Sequence, residues 1–496
     1  MMKRKYPDDS LALHTDAYQL NMVETYWHDG VHNRKAVFEL YCRKLPFNNG
    51  YGIFAGLERI VEFLQNYRFT ESDIDYLREE VGYEEEYLEY LRGIRFTGTI
   101  RSMVEGELAF ANEPLLQVES TLAEAQLIET ALLNIVNYQM LIATKASRIK
   151  QVIGNQAAME FGTRRAHEMD AAIWGTRAAF IGGFDATSNY RAGKLFGIPV
   201  SGTHAHSMIQ TYRDDYTAMK KYAESCVRRA NKDFIPLVDT YDTLRSGVPA
   251  AIRVADEFKG QIEFKGIRLD SGDMAYLSIE ARKLLDDAGY PDAKIVASND
   301  LDEYTILNLK AQGAKIDVWG VGTKLITAFD QAALGAVYKI VAIEDEHGNM
   351  LDTIKISGNP EKVSTPGLKK LYRIINRHNQ HSEGDYLTMS DEKPEEAEFI
   401  HMFHPTHTYI SKYVTNFEAK NLLKDIIVDG QLVYKLPDIF EIQAYALNNM
   451  KLLWGEYKRS MNPAEYPVDL SQKCWDNKME NIGKVKEQVA AKLGEK

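Results

Sequence analysis

The sequence has few cysteines and no long uncharged apolar run. Cys42, Cys226 and Cys474 are the only three in 496 residues, and they lie far apart without a CxxC pair. Neither a disulfide framework nor a thiolate zinc site is therefore expected, and a reducing cytoplasm is the simplest location. The basic start MMKRKYPDDS runs into Asp8 and Asp9 without an apolar segment. We therefore expect neither secretion nor membrane insertion.

Basic residues do not outnumber acidic ones. The chain has 71 acidic residues against 59 basic ones, which gives a net charge of −12. Proteins that bind nucleic acid need a positively charged face, so this balance argues against nucleic acid as a partner. Apolar side chains make up 45% of the chain, which is enough for a large core divided between two or three domains.

The first part of the chain mixes strand and helix signals. Residues 35–45 predict a strand and residues 54–66 predict an amphipathic helix. Short apolar segments between 96 and 119 are separated by turn residues, which is typical of antiparallel strands. We assign residues 1–135 to an N-terminal α+β domain.

Residues 136–345 alternate short apolar runs with amphipathic helical stretches. A long helix with the capping-box spacing of Thr121 and Glu124 leads into this region. Repeated βα units imply parallel strands. Six or seven units plus a possible last strand at 335–343 favour an α/β barrel over an open doubly wound sheet. The more polar residues 346–496 are assigned to a C-terminal domain.

Polar side chains gather at the predicted carboxyl ends of these strands, where parallel βα folds bind their ligands. The segments are 160–165, 185–188, 203–206, 239–240, 268–273, 298–300 and 320–323. Ser271 to Asp273 and Ser298 to Asp300 precede helices and fit helix caps equally well. The GVGT segment at 320–323 suits a phosphate or a tight turn.

Two groups of histidines stand out. His204 and His206 are two residues apart in a predicted strand and would point the same way. They could bind a metal, form local hydrogen bonds or supply one reactive imidazole. A second group, His401, His404 and His407, has no accompanying carboxylate pattern of a metal site, so we expect it to have a structural role at the surface.

Taken in order, several segments resemble the nicotinate phosphoribosyltransferase family. They are LHTDAYQ at 13–19, EFGTRRAHE at 160–168, GGFDATSN at 182–189, GTHAHSM at 202–208, RLDSGD at 268–273, SNDLDE at 298–303 and GVGT at 320–323. The resemblance spans nearly the whole chain. It implies three domains around an irregular seven-stranded α/β barrel of the type II phosphoribosyltransferases. It also implies a homodimer with an active site shared between subunits.

The resemblance implies a reaction as well. Nicotinate and phosphoribosyl pyrophosphate would give nicotinate mononucleotide and pyrophosphate in NAD salvage, driven by the hydrolysis of ATP, with Mg²⁺ on the diphosphate. His206 matches the family histidine that ATP phosphorylates, and imidazole suits this role as a neutral nucleophile. His204 is expected to be a supporting neighbour.

The same resemblance suggests roles for other residues. Tyr18, acting across the subunit interface, and Phe161 match an aromatic pair that would hold the pyridine ring, although core packing explains Phe161 equally well. Arg268 is expected to contact substrate anions, and Asp270 to stabilise the ribosyl cation. Further expected contacts are Arg164, Thr203, Ser271, Gly272, Asn299, Gly322 and Thr323, with Asp273 near magnesium.

Ser188 bears on the choice of substrate. Similar nicotinamide-specific enzymes have an aspartate there, which would accept a hydrogen bond from an amide and repel a carboxylate. The sequence leaves other functions open. These are a nicotinamide or quinolinate phosphoribosyltransferase, a non-catalytic sugar-phosphate binder, and a metal-dependent barrel hydrolase that uses His204 and His206.

Overall fold

The computed structural model describes residues 5–358 and 363–493. The first four residues of the basic start lie outside the described residues. The chain divides into two compact units, unit 1 within 1–141 and 333–496 and unit 2 at 142–332. The boundaries of the three predicted domains stay a prediction. No helix of the described residues is both long enough and apolar enough to cross a bilayer.

The amino-terminal part of unit 1 is mixed α and β. Its elements are α1 (Ala17–His28), β1 (Lys35–Cys42), β2 (Gly52–Ile53), α2 (Leu57–Gln65), α3 (Glu71–Tyr76), α4 (Glu85–Gly93), β3 (Thr99–Ser102), β4 (Leu108–Ala109), β5 (Leu116–Thr121), α5 (Leu122–Leu127) and α6 (Glu129–Ile153), which continues into unit 2. The strand expected at 35–45 and the helix expected at 54–66 are confirmed. β3 and β5 pair antiparallel, as expected.

The long helix predicted from Thr121 is interrupted between α5 and α6. Thr121 caps α5 by accepting from the backbone N–H of Glu124 at 3.3 Å. The carboxylate of Glu124 does not complete a capping box. It accepts instead from the N–H of Thr97 at 2.9 Å and the hydroxyl of Ser120 at 2.6 Å, and so joins α5 to the strands beside it.

The carboxyl-terminal part of unit 1 is mostly β. Its elements are β13 (Ala336–Glu344), β14 (Met350–Asp352), β15 (Lys369–Asn376), β16 (Ser382–Met389), β17 (Phe399–Phe403), β18 (Ser411–Thr415), β19 (Phe417–Asn421), β20 (Lys424–Val428), β21 (Gln431–Leu432), α15 (Ile439–Asn449), β22 (Val468–Leu470) and α16 (Gln472–Leu493). Among the described residues, one sheet runs β14-β13-β1-β5-β3-β20-β21 and another runs β18-β17-β22-β16-β15-β19.

The expectation that residues 335–343 add a last strand to the barrel is wrong. These residues form β13, which pairs antiparallel with β1 in unit 1. Stacking across this pair explains the placement, since the rings of Phe38 and Tyr338 lie 4.8 Å apart and nearly parallel. The Tyr338 hydroxyl also donates to the Ala125 carbonyl at 2.9 Å.

A fully buried arginine joins the early and late parts of unit 1. Arg373, on β15, donates to both oxygens of Asp385 at 2.9 and 2.6 Å and to the Leu108 carbonyl at 3.0 Å. It also donates to Glu107, whose second oxygen accepts from Lys420 at 2.9 Å. Burial would raise the pKa of Glu107, but the charges of Arg373 and Lys420 outweigh it and lower the pKa.

Replacing this arginine should destabilise unit 1 strongly. In Arg373→Met, Asp385 and Glu107 stay buried while losing their shared cation, so we expect a loss of about 3–5 kcal/mol in the free energy of unfolding. Urea unfolding of the whole chain measures it. Arg78→Met, at a partly exposed arginine paired with Glu85 at 2.8 Å, is the control and should have little effect. Equal shifts would contradict the prediction.

Unit 2 alternates strands and helices as predicted. After the end of α6, its elements are β6 (Ala157–Glu160), α7 (Met169–Ile181), β7 (Ala186–Thr187), α8 (Tyr190–Phe196), α9 (His206–Tyr212), α10 (Asp215–Val227), β8 (Asp233–Phe234), α11 (Val248–Glu257), β9 (Glu263–Phe264), β10 (Gly266–Leu269), α12 (Met274–Asp287), β11 (Lys294–Ser298), α13 (Glu303–Ala311), β12 (Val318–Val321) and α14 (Thr323–Ile326).

These strands form an irregular parallel barrel. A central sheet runs β10-β11-β12-β6-β7. Parallel bridges extend it on both sides, from Thr187 to Val200 and from Arg268 to Leu237. The segments at 200 and 237 are joined by a side chain, because Nε2 of His204 accepts from the Leu237 N–H at 3.1 Å. The predicted α/β barrel is therefore confirmed.

Candidate active site

The parallel register brings the ends of four strands side by side. Ser298 on β11 is paired with Gly320 on β12, and Gly320 with Met159 on β6. Glu160 is paired with Thr187 on β7. The polar residues that follow these positions therefore share the carboxyl edge of the barrel, where βα folds bind ligands.

Arg268 lies at the centre of this edge. Its guanidinium donates to the Ser298 hydroxyl at 3.0 Å, to the Thr203 hydroxyl at 3.1 Å and to Asp270 at 2.8 Å. A longer contact, 3.4 Å, reaches the His204 carbonyl. One side chain therefore fixes the ends of β10 and β11 and the loop at 203–204. Arg268 makes these contacts within the site and is not a surface salt bridge.

Asp239 joins His206 to the loop after β10. Its side chain is 1% exposed, and its Oδ1 lies 3.3 Å from Nε2 of His206. Its Oδ2 accepts from the Asp270 N–H at 2.8 Å and the Ser271 hydroxyl at 2.7 Å. A buried carboxylate beside an imidazole orients the ring and favours a proton on the facing nitrogen.

The prediction that His204 and His206 lie in a strand is wrong. His206 is the first residue of α9, and the segment before it has no ladder hydrogen bonds beyond the bridge at Val200. Their rings have different neighbours. His204 packs against Tyr222, with the ring centroids 5.0 Å apart, while His206 faces Asp239. Burial lowers the pKa of His204, which keeps its imidazole neutral.

Asp270 is held in its charged form. Partial burial would raise its pKa, but the hydrogen bond from Ser298 and the charge of Arg268 outweigh it and lower the pKa. A carboxylate at this edge can stabilise positive charge that develops on a ligand next to it.

Phe161 follows β6, and its ring packs against β12 at Gly320. A Cβ added to Gly320 would come within 2.6 Å of its ring carbons, so only glycine lets the ring approach so closely. The Phe161 carbonyl is 3.2 Å from the position of a Cβ on Gly322. The guanidinium carbon of Arg268 lies 5.8 Å from the ring centroid. The aromatic face therefore belongs to the same site as Arg268.

The buried Glu160 fixes the loops around this ring. Its carboxylate accepts from the hydroxyls of Thr176 at 2.9 Å and Thr187 at 2.6 Å, and also from the Gly162 N–H. Burial raises its pKa. Its carbonyl accepts from the Ser188 N–H at 2.9 Å, which places Ser188 beside the start of the Phe161 loop.

The other predicted residues are placed less centrally. Asp273 is exposed and caps α12, accepting from the Tyr276 N–H at 3.0 Å, so the helix-cap interpretation holds for it. Gly272 has a φ of +80° in the turn before this cap, and Asn299 has a φ of +89° in the loop after β11. Arg164 is exposed in a short 3-10 helix. Thr323 begins the short helix α14 after Gly322.

Tyr18 lies on α1 in unit 1, where it is 47% exposed and donates to Glu129 at 3.3 Å. Burial and the nearby Glu129 raise its pKa to about 12. Its action across a subunit interface stays a prediction.

The trio His401, His404 and His407 has local structural contacts. His401 stacks on Tyr413 with the ring centroids 4.4 Å apart. Nδ1 of His404 accepts from the N–H groups of Thr406 and His407 at 3.1 and 2.9 Å. These bonds shape the turn after β17, as the sequence suggested.

Three buried oxygens at the barrel edge lack a hydrogen-bond partner within the described residues. They are Thr163 Oγ1, Thr240 Oγ1 and Asp239 Oδ1, whose 3.3 Å contact with Nε2 of His206 is an ion-pair distance without hydrogen-bond geometry. A buried polar atom without a partner is costly, so such atoms in a polar cleft suit water or a ligand. The arrangement therefore fits a polar ligand with several acceptor and donor groups.

Two residues of the site have no role that the sequence alone predicts. They are Glu160 and Asp239, which lie in the strand-end segments 160–165 and 239–240. Both are acidic residues at or next to the last position of an apolar run, and their burial was the missing information. The structure shows that each one joins two loops.

This irregular parallel barrel, whose strand ends gather an arginine, an aspartate and a histidine, has the fold of the type II phosphoribosyltransferases. The family models agree. The N-terminal domain of nicotinate phosphoribosyltransferase matches residues 13–137, the family model matches 156–370 and the C-terminal domain matches 368–478. The chain belongs to the nicotinate phosphoribosyltransferase family.

Individual relatives support this assignment. Nicotinate phosphoribosyltransferase of Bacillus subtilis is 65% identical over all of both chains, and the Arabidopsis thaliana enzyme 2 is 35% identical over 93% of this chain and 92% of its own. The crystal structure of human nicotinic acid phosphoribosyltransferase matches with a TM-score of 0.81 and 28% identity, covering 94% of this chain and 99% of that one. Nicotinate-nucleotide pyrophosphorylase from Pyrococcus furiosus matches with a TM-score of 0.69 and 25% identity, over 91% and 99%.

The close contact between Gly320 and Phe161 can be tested by stability. In Gly320→Ala the added methyl group meets the ring, so we expect a loss of about 1–3 kcal/mol in the free energy of unfolding. Chemical denaturation measures it. Gly202→Ala is the control, because a Cβ there meets nothing within 4 Å. If both variants unfold like the parent chain, the ring is not held against β12.

Proposed function

We propose that this chain transfers the phosphoribosyl group of phosphoribosyl pyrophosphate to nicotinate and couples the transfer to ATP hydrolysis through His206. Membership of the family supports the first part. The observation that supports the second is the imidazole of His206 facing the buried Asp239 at 3.3 Å. The setting would be NAD salvage in the cytoplasm.

The transfer exchanges one bond at the anomeric carbon. The pyridine nitrogen forms a bond to that carbon, and the bond to the pyrophosphate oxygen breaks, releasing pyrophosphate. Positive charge grows on the ribose as the leaving group departs. The carboxylate of Asp270, kept ionised by Arg268 and Ser298, is suited to stabilise it. The other contribution to catalysis is to hold the two substrates next to each other in the reactive orientation.

The contact with Asp239 suits His206 for phosphorylation by ATP. The carboxylate favours a proton on the facing Nε2, which leaves the other ring nitrogen with a free lone pair. That nitrogen attacks the terminal phosphorus of ATP, and ADP leaves. Water later takes the phosphoryl group from the imidazole, giving phosphate and restoring the histidine. Because Asp239 also accepts from the Asp270 N–H, the state of His206 is coupled through Asp239 to the loop that carries Asp270.

The pyridine ring is proposed to lie on Phe161. Offset stacking on an exposed aromatic face suits a planar heterocycle. Ser188 and Arg164 follow β7 and β6 and can receive the carboxylate of nicotinate. In a homodimer, Tyr18 would cover the opposite face of the pyridine.

The phosphoribosyl donor would be held by the loops after β10, β11 and β12. Asn299 with the amides of Gly322 and Thr323 suits the 5-phosphate, since exposed amides bind phosphate oxygens. Thr203, Ser271 and Gly272 lie beside Arg268 and Asp270 and suit the ribose and the diphosphate. Hydroxyls and amides provide these contacts without adding charge.

Magnesium fits this site as a companion of the diphosphate. No group of three or more histidine, cysteine or acidic side chains in the described chain could hold a metal by itself. Mg²⁺ commonly keeps several waters and uses one or two carboxylates plus substrate phosphates. Asp270 and Asp273 are the carboxylates suited to this arrangement, and the ion would neutralise charge on the leaving group.

The experiment that tests the function is an assay of the purified chain for nicotinate mononucleotide and pyrophosphate, with and without ATP. We expect product in both cases and more with ATP. His206→Ala should lose the stimulation by ATP while keeping the slower reaction, because the variant cannot form the phosphohistidine. Acid-labile labelling of the protein by γ-labelled ATP should disappear in the same variant.

The control for that variant is His407→Ala, at an exposed histidine of the turn after β17. It should keep both the labelling and the stimulation. Full ATP coupling in His206→Ala would remove His206 from the mechanism. Failure of the parent chain to release pyrophosphate from nicotinate and phosphoribosyl pyrophosphate would reject the proposed activity.

Ser188→Asp should shift the substrate preference from nicotinate towards nicotinamide. The new carboxylate would repel the nicotinate carboxylate and accept a hydrogen bond from the amide, so we expect the kcat/KM ratio to change about tenfold or more. Ser188→Asn, of similar size without charge, is the control and should retain the preference for nicotinate. If Ser188→Asp behaves like Ser188→Asn, charge at this position does not select the substrate.

A further inference from the structure

Two loops proposed to hold the phosphoribosyl donor are joined by ion pairs whose residues have no role in the proposed chemical steps. One loop follows β11 and contains Asn299, and the other follows β12 and contains Gly322 and Thr323. Asp302 lies three residues after Asn299, and Lys324 directly follows Thr323. The side chains of Asp302 and Lys324 contact each other. We propose that the Asp302–Lys324 pair, anchored by a buried ion cluster on α6, positions these loops for the donor. This inference rests on the proposed function.

The pair lies between the beginnings of two helices. Nζ of Lys324, in α14, donates to Oδ2 of Asp302 at 2.6 Å, and their side chains are 27% and 12% exposed. Oδ1 of Asp302 accepts from the Thr305 N–H at 2.7 Å and caps α13. Asp302 therefore fixes the start of its own helix and the neighbouring loop at once.

A second cluster, buried except for Asp330, joins the same helix to α6. Glu303, the first residue of α13, is 0% exposed and accepts from Nζ of Lys145 at 3.0 Å and Nε of Arg148 at 2.9 Å. Both cations lie on α6 and are at most 2% exposed. Lys145 also contacts Asp330 at 2.8 Å, beyond the end of α14. The cluster therefore fixes α13 and the chain after α14 to one helix.

Burial makes this arrangement rigid. The cluster has two cations, Lys145 and Arg148, and two carboxylates, Glu303 and Asp330, so its charges balance. Separating Glu303 from Lys145 and Arg148 would leave buried charges without compensation, which is strongly unfavourable. At the loop ends themselves, the ion pair of Asp302 with Lys324 makes the connection.

The loop after β11 needs such support. Asn299 and Asp300 have φ values of +89° and +46°, which side-chain-bearing residues rarely adopt and which persist only when the surroundings impose them. Two residues later, Asp302 is held by Lys324 and by its cap. Without the ion pair, Asn299 and Gly322 would lose their fixed separation while the barrel strands beneath stay paired. The expected consequence is weaker binding of the donor's phosphate alone.

The test is a double-mutant cycle on the exposed pair. Asp302→Asn removes the charge and keeps a side chain able to cap α13, and Lys324→Met removes the cation at similar length. We expect each variant to raise the KM for phosphoribosyl pyrophosphate about tenfold, with the KM for nicotinate unchanged. The double variant should be no worse than either single one, because the pair acts as a unit. Titration calorimetry of phosphoribosyl pyrophosphate should show the same loss in affinity.

Lys294→Gln is the matched control. Lys294 and Asp317 lie 4.0 Å apart at the amino ends of β11 and β12, so they join the same two strands at the end remote from the site. This variant should retain both KM values. Glu303→Gln should reproduce the selective rise in KM if it folds, and its thermal unfolding is measured beside that of the pair variants.

The outcomes separate this inference from the proposed function. If the parent chain forms no nicotinate mononucleotide, the proposed function fails and the inference fails with it. If the parent chain is active and the pair variants retain its KM for phosphoribosyl pyrophosphate, or lose affinity for both substrates equally, the inference alone is overturned. A selective rise in the pair variants with an unchanged Lys294→Gln supports it.

Discussion

The guanidinium of Arg268 is the contact on which the geometry of the site depends. It reaches the loop at Thr203, the end of β11 at Ser298 and the carboxylate of Asp270. A planar group with several fixed donors can hold three acceptors in one arrangement, which a lysine could not do. Because the same side chain keeps Asp270 ionised, it sets both the shape and the charge of the barrel edge.

The barrel also depends on side chains where its backbone pairing ends. Ladder hydrogen bonds join five strands, and single bridges extend them to Val200 and Leu237. His204 completes the ring by accepting from the Leu237 N–H. A neutral imidazole is required for this bond, and burial keeps it neutral. His204 is therefore part of the barrel wall, which leaves His206 as the imidazole that faces Asp239.

The sequence predicts the strands well where their pattern is local. The apolar run of β1 and the βα repeats of unit 2 need only neighbouring residues to be recognised. The pairing partner of β13 is different, because residues 336–344 are separated from β1 by more than half of the chain and either a barrel or a sheet would bury them. The ladder with β1, which includes the stacking of Tyr338 on Phe38, decides between the two.

The same limit applies to the site. Motif order places His206, Arg268 and Asp270 at strand ends, and the structure brings them together there. Motif order does not reveal that Asp239 is buried beside His206 and the Asp270 loop. An aspartate after an apolar run has the same sequence pattern whether it caps a helix, forms an ion pair or orients a histidine. Which carboxylates are functional depends on what the fold buries, and burial is a property of distant residues.

The net charge of the molecule determines how it can recognise anionic substrates. A chain with a net charge of −12 repels anionic substrates at long range, so recognition has to come from contacts close to the site. Arg268 is largely neutralised by Asp270, which leaves backbone amides and hydroxyls to meet the phosphates. Such groups are effective only when held at fixed positions, because each provides a weak and directional bond. The buried carboxylates Asp239, Glu160 and Glu303 supply that rigidity, each by joining elements that would otherwise move separately.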